Sequence, residues 1–77
     1  MNRYCTDVII HIDNDLGDEA IYALERDIGA IAGVYSACVN DRARHLMLVD
    51  YDPEGVNAGD LLTTVRNQGL RAELVGL

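Results

Sequence analysis

The spacing of apolar residues changes once along the first half of the chain, from a strand pattern to a helix pattern. Residues 6–12 are a β-branched apolar run that ends in the turn-forming residues 13–17, which predicts a strand. From Asp18 onward, apolar residues recur every three or four positions with charged residues between them, which predicts an amphipathic helix that ends at Gly33. The apolar positions of this helix are Ile21, Leu24, Ile28 and Ile31.

The second half of the chain repeats this order of elements after a predicted hairpin. Turn-forming residues at 40–43 separate two apolar segments, which is typical of two antiparallel strands. Pro53 ends the hairpin because proline has no amide hydrogen to donate to a neighbouring strand. The predicted elements are strands at 34–39 and 44–51, a helix capped by Asn57 or Asp60 and ending near Gly69, and a last strand at 70–75.

The order of these elements predicts an α+β fold, the ferredoxin-like βαββαβ sandwich. Right-handed crossovers place both helices on one face of a four-stranded antiparallel sheet and leave the other face open. The third strand is expected between the first and the second. With 77 residues, the chain is predicted to form one domain, 1–77, with a core small enough that a metal or a partner chain would add useful stability.

Acidic residues dominate the charged residues of the chain. The 13 Asp and Glu residues outnumber six basic residues, all of them Arg, so the net charge is -7. An acidic surface repels phosphate groups, and we therefore expect neither a nucleic-acid partner nor a membrane partner. Apolar runs stay well short of the roughly 18 residues of a membrane span, and the N-terminus has no signal-peptide stretch, which predicts a cytoplasmic protein.

One set of residues is spaced across nearly the whole chain in a family-like pattern. Its members are Leu24-Glu25, Ile28, Ile31, Gly33-Val34, Val39-Asn40, Val49-Asp50-Tyr51-Asp52-Pro53 and Gly69. This pattern resembles the heavy-metal-associated domain family of small copper chaperones and metal-pump domains. The spacing from Leu24 to Asn40 matches without a gap. The resemblance implies the ferredoxin-like fold that the order of elements also predicts.

The metal-binding motif of that family is replaced in this chain. In the family, a Met-x-Cys-x-x-Cys segment joins the first strand to the first helix, and its two thiolates hold a soft ion such as Cu(I). Counting back from Leu24 places the two cysteine positions on Gly17 and Ala20 and the methionine on Asp15. The family's late aromatic residue corresponds to Leu70. The resemblance therefore implies the fold more than the activity, and no cofactor is expected.

Other donors offer an alternative metal site. His11, His45 and Cys38 are the candidate ligands of a copper or zinc carrier that uses a different ligand set, completed if needed by a second chain. Strand alternation places His11 on the open sheet face but aims His45 at the helix side, which argues against a shared site. Cys5 and Cys38 are predicted to be reduced thiols about 10 Å apart, two strands away from each other.

The open sheet face is the remaining candidate for function. Alternation places Ile9, Leu46 and Leu48 at its centre, within a rim of charged residues, which is the pattern of a protein-contact surface. A homodimer could use this face or the edge of the second or fourth strand. No nucleophile with a nearby base and no glycine-rich phosphate loop is readable, so we do not expect an enzyme.

Three classes of function follow from these observations. The leading hypothesis is a protein-binding or regulatory module, related to metal-handling proteins, in which the metal-binding loop is degenerate. The second is the metal-ion carrier with His, Cys and Asp ligands. The third is a small-ligand regulatory domain of the same topology, which would bind its ligand at a subunit interface.

Overall fold

The computed structural model describes residues 5–75 and contains the six predicted elements in the predicted order. They are β1 (Thr6–Ile12), α1 (Asp18–Gly29), β2 (Val34–Val39), β3 (Leu46–Tyr51), α2 (Ala58–Arg66) and β4 (Ala72–Val75). The four strands form one antiparallel sheet in the order β2-β3-β1-β4, so β3 lies between β1 and β2 as expected. Residues 1–4, on which the expectation about a signal peptide rests, lie outside the described residues.

One face of the sheet packs against both helices. Val8, Ile10 and Ile12 of β1 are each at most 1% exposed, which confirms the predicted alternation along this strand. They form a single apolar core with buried residues of the other elements: Leu24, Ile28, Met47, Val49, Tyr51, Leu61 and Val65. Because residues of both helices belong to this one cluster, the opposite face of the sheet stays open. This arrangement confirms the ferredoxin-like sandwich.

Helix α1 ends at Gly29, earlier than the predicted end at Gly33. The Ile31 amide donates a hydrogen bond to the Ile28 carbonyl at 3.1 Å, which tightens the last turn and stops the α-helical pattern. Gly33 then adopts a φ of 98°, a backbone conformation that favours glycine, and leads the chain into β2. Helix α2 begins after Asn57, whose side chain accepts from the Asp60 amide at 2.8 Å, so Asn57 is the cap.

Strand β3 begins at Leu46 and not at residue 44 as predicted. The side chain of Asn40 accepts hydrogen bonds from the amides of Arg42 and Ala43 at 2.8 and 3.1 Å. These bonds, together with the bond from the Leu46 amide to the Ala43 carbonyl at 2.9 Å, extend the turn through His45. His45 therefore lies outside the regular strand.

Strand β2 forms one edge of the sheet and is irregular. Its register with β3 shifts between Val34 and Ser36. The Val39 amide donates to Oε2 of Glu25, on α1, at 2.7 Å. The next amide, of Asn40, donates to the Leu46 carbonyl at 2.9 Å, so the Val39 amide points away from β3. A helix side chain thus satisfies a donor at the free edge of β2.

Both helices are short: α1 has 12 residues and α2 has nine. Within the described part of the chain, no helix has the length and apolar character needed to cross a membrane.

Candidate functional site

The resemblance placed the two family cysteines at Gly17 and Ala20, which lie at the end of the β1–α1 loop and at the start of α1. Gly17 is the N-cap of α1, and a Cβ built on it would meet nothing within 4 Å. Ala20 lies in the first turn of α1 and is exposed. The acidic residues beside them are partly engaged: Arg44 donates to Oδ1 of Asp18 at 2.6 Å. This hydrogen bond is the main reason that the pKa of Arg44 is raised above its usual value.

The two histidines lie side by side at the end of β1. Their ring centroids are 6.0 Å apart, and the ring planes are stacked with an angle of 24° between them. The prediction that alternation would aim His45 away from His11 is therefore wrong. His45 lies in the turn before β3, where strand alternation does not apply. Its Nδ1 lies 2.7 Å from the Ile12 carbonyl oxygen, which holds the ring at the end of β1.

An aspartate of the loop meets the second histidine. Oδ1 of Asp15 lies 3.3 Å from Nε2 of His45. Cys38, the third alternative ligand, is exposed on β2 opposite Leu48, whereas His11 lies opposite Leu46 on the far side of β3. The structure pairs His45 with His11 and, separately, with Asp15, and it leaves Cys38 apart from them.

A second group of polar side chains lies at the other end of the open sheet face. One ligand atom each from Cys5, Asp7 and Asp50 lie within 4.8 Å of one another. Both cysteines are free and exposed, and Cys38 is not part of this group. The sequence analysis missed this group, because seeing it requires the β1–β3 register that pairs Asp7 directly with Asp50.

The two carboxyl groups of this cluster shift each other's pKa in opposite directions. A hydrogen bond to Asp50, with repulsion from its charge as the next cause, raises the pKa of Asp7. The same hydrogen bond lowers the pKa of Asp50, and the Ser36 hydroxyl, which donates to its Oδ2 at 2.9 Å, lowers it further. Asp7 is therefore the member of the pair that takes up a proton first as the pH falls.

Three aliphatic side chains form the centre of the open face, here called the aliphatic patch: Ile9, Leu46 and Leu48. Ile9 and Leu48 lie directly opposite each other on β1 and β3 and are 38% and 43% exposed. Leu46 is half-buried beside them, opposite His11. Asp7 and Asp50 lie at one end of the patch, and Glu73 lies opposite His11 at the other. The structure thus places the three predicted residues together on one surface.

No protein-family model matches the chain, and no curated protein matches it significantly in sequence. Several solved structures match it in fold. The N-terminal domain of a potential copper-translocating P-type ATPase from Bacillus subtilis, in the Cu(I)-loaded state, is 26% identical; the match covers 91% of this chain and 86% of that one, with a TM-score of 0.80.

Two further solved structures show the same likeness. The copper chaperone of Enterococcus hirae in its apo form is 19% identical, with 88% of this chain and 98% of that one covered and a TM-score of 0.79. Oxidized MerP from Ralstonia metallidurans is 12% identical, with 94% and 99% covered and a TM-score of 0.82. The chain therefore has the fold of the heavy-metal-associated and copper-chaperone domains, and the resemblance predicted from its sequence is confirmed.

Proposed function

We propose that this chain is a protein-contact module with the heavy-metal-associated fold, acting without catalysis through its open sheet face. The observation that carries this proposal is the aliphatic patch. Two of its members, Ile9 and Leu48, are paired across neighbouring strands and remain well exposed. Exposed aliphatic side chains at the centre of a surface, with charged residues around them, are typical of a surface that a partner covers.

The charges around the patch indicate the chemistry of the partner. Asp7, Asp50 and Glu73 share the open face with the patch, and the whole chain carries a net charge of -7. A second copy docked on this face would bring acidic groups against acidic groups. A neutral or basic protein surface would instead meet a complementary potential, which favours association and specificity. The partner we propose is therefore a protein with a basic rim around an apolar centre.

The location that we infer is the cytoplasm. Cys5 and Cys38 are both free and exposed. Exposed free thiols persist in reducing compartments, whereas disulfides accumulate in oxidising ones.

The sheet-face proposal predicts a position-specific crosslink in cells. A photoreactive amino acid in place of Leu48 should capture one defined protein, because that side chain lies at the centre of the patch. The Ile9→Asp change in the same chain should abolish the capture, since it places a charge in the apolar contact. A photoreactive residue in place of Tyr22, which is 68% exposed on α1, is the matched control and should not capture that protein.

Two results would contradict this proposal. One is capture of the same proteins from positions 22 and 48. The other is undiminished capture by an Ile9→Asp chain whose circular dichroism shows that it is folded. Sedimentation velocity separates the homodimer alternative: a wild-type dimer that Leu46→Asp and Leu48→Asp convert to a monomer would show that the partner is a second copy.

The degenerate loop predicts a gain of Cu(I) binding when the missing cysteines are restored. Gly17→Cys with Ala20→Cys should give one Cu(I) per chain in the presence of a competing chelator, measured by native mass spectrometry under anaerobic conditions. The two positions are the N-cap and the first turn of α1, where the helix dipole lowers thiol pKa values. The reduced wild type should retain no Cu(I) under the same conditions.

The matched control is Gly17→Ser with Ala20→Ser, which has the same side-chain size but no thiolate. Stoichiometric Cu(I) retained by the wild type, and still retained after Cys5→Ser and Cys38→Ser, would show a site outside the thiols and would contradict the degenerate-loop proposal.

A further inference from the structure

We propose that Cys5, Asp7 and Asp50 form a binding site for a divalent cation of the zinc type at one end of the open sheet face. A sulfur and two carboxylate oxygens, one atom from each residue, all lie within 4.8 Å of one another. This mixed donor set suits a borderline ion such as Zn(II), because Cu(I) prefers sulfur ligands and Mg(II) prefers oxygen ligands. The three residues lie outside the β1–α1 loop, so the site differs from the family motif.

Two neighbouring strands hold the carboxylates of this site. Asp7 of β1 and Asp50 of β3 are directly opposite each other in the register. The next pair along the strands, Val8 and Val49, is at most 1% exposed on the helix side of the sheet. The core therefore fixes the backbone beneath the two carboxylates. Cys5 comes immediately before β1, and its sulfur reaches the same group.

Asp50 is the ligand that the protein already orients. The Ser36 hydroxyl, on β2, donates a hydrogen bond to Oδ2 of Asp50 at 2.9 Å. Ligating carboxylates are commonly held in this way by a hydrogen bond from a residue that does not touch the metal. Asp50 is also half-buried, whereas Cys5 and Asp7 are exposed. An incoming ion would thus meet one positioned carboxylate and two side chains that are free to adjust.

The negative charges of the two carboxylates favour a cation between them. Like charges directly opposite each other on neighbouring strands destabilise a sheet. The hydrogen bond to Asp50, and after it the repulsion from its charge, raise the pKa of Asp7, so the pair resists carrying two negative charges. The arginines that form ion pairs within residues 5–75 do so with other carboxylates: Asp13, Asp18 and Asp27. A bound divalent ion would neutralise the pair.

The distances allow all three donors to share one ion. Zinc holds sulfur at about 2.3 Å and carboxylate oxygen at about 2.0–2.2 Å, so ligand atoms around a tetrahedral ion are about 3.3–3.6 Å apart. Donors that lie within 4.8 Å of one another reach this spacing when the exposed side chains of Cys5 and Asp7 rotate about their own bonds. A water molecule completes the tetrahedron, as in zinc sites with three protein ligands.

The experiment is a titration of the reduced full chain with ZnCl₂ by calorimetry, and with CoCl₂ by absorption spectroscopy. We expect one ion per chain, and a thiolate-to-cobalt charge-transfer band in the near ultraviolet. Cys5→Ser should abolish this band, because it removes the sulfur ligand. Asp7→Asn should weaken Zn(II) binding by about tenfold or more, because an amide is a poorer zinc ligand than a carboxylate. Circular dichroism of both variants confirms that they are folded.

The matched controls remove the same chemical groups elsewhere. Cys38→Ser removes the other exposed thiol and should keep the cobalt band. Asp15→Asn removes an exposed carboxylate of the β1–α1 loop and should leave the Zn(II) affinity unchanged. Three results would overturn the proposal: a band that survives Cys5→Ser, an affinity that neither Asp7→Asn nor Asp50→Asn lowers, and the absence of Zn(II) binding in excess Mg(II).

The metal site and the protein contact can be tested separately, although both lie on the open face. Leu46 is at the far end of the aliphatic patch, opposite His11. Leu46→Asp should therefore bind Zn(II) normally. Normal Zn(II) binding in a chain that captures no partner would contradict the contact proposal alone, and partner capture without Zn(II) binding would contradict the metal site alone.

Discussion

Ile10→Ala is expected to destabilise the protein by about 2–5 kcal/mol, a large part of the roughly 5–15 kcal/mol that holds a typical domain folded. Ile10 lies in the central strand β1, is 0% exposed, and packs among residues of both helices. Removing its side chain beyond Cβ leaves a cavity that the surrounding sheet and helices fill only partly. Urea denaturation followed by circular dichroism would measure the loss.

The neighbouring isoleucine is the matched control. Ile9 has the same side chain on the same strand but points to the open face and is 38% exposed. Ile9→Ala should cost about 1 kcal/mol or less, because little packing is lost. Equal losses at the two positions would mean that β1 does not present alternate residues to opposite faces. A loss at Ile9 that grows with protein concentration would report self-association instead.

Gly33→Ala is expected to have the second-largest effect, about 2–4 kcal/mol, from two causes that act together. Gly33 has a φ of 98°, which strains any residue with a Cβ. A Cβ at this position would also lie 3.1 Å from Cγ1 of Val56 and 3.2 Å from the carbonyl carbon of Gly55. Relief would require the backbone after β3 to move, although the Asp52 amide holds it by donating to the Gly33 carbonyl at 2.7 Å.

Two other glycines separate these causes. Gly69 has a φ of 85° but open space where its Cβ would lie, so Gly69→Ala should show the backbone cost alone, about 1–2 kcal/mol. Gly17 has a φ of -75° and open space, so Gly17→Ala should show no backbone strain and only the weaker capping of alanine at the start of α1, about 0.5–1 kcal/mol. Thermal unfolding of the three variants would test the order. If Gly33→Ala were no worse than Gly69→Ala, the segment after β3 would not pack on Gly33 in solution.

The spacing of the apolar residues and the positions of the turn-forming residues were enough to predict the ferredoxin-like sandwich. The reason is that the core residues of the strands alternate regularly with residues of the open face. Ile10 and Met47 lie opposite each other in the register and are both 0% exposed. A strand whose apolar residues alternate with polar ones, and a helix whose apolar residues recur every three or four positions, bury those residues by packing on each other. The resemblance to the heavy-metal-associated family came from the same positions, which is why it established the fold and not the chemistry of the loop.

The candidate sites were less predictable, because they depend on where strands begin and how they pair. The side chain of Asn40 bonds to two amides of the turn, and this shortens β3 and frees His45 from strand alternation. Nothing in the spacing of the histidines reveals that turn. Asp7 and Asp50 are likewise far apart in sequence, and only the register of β1 with β3 brings them face to face.

The edge of β2 limits how this protein can associate. An incoming strand would need a straight row of unpaired amides and carbonyls, but the register shift between Val34 and Ser36 interrupts that row at one end. At the other end, the Glu25 carboxylate occupies the Val39 amide. Addition of a further strand at the β2 edge is thereby hindered, which protects this side of the sheet from edge-to-edge aggregation.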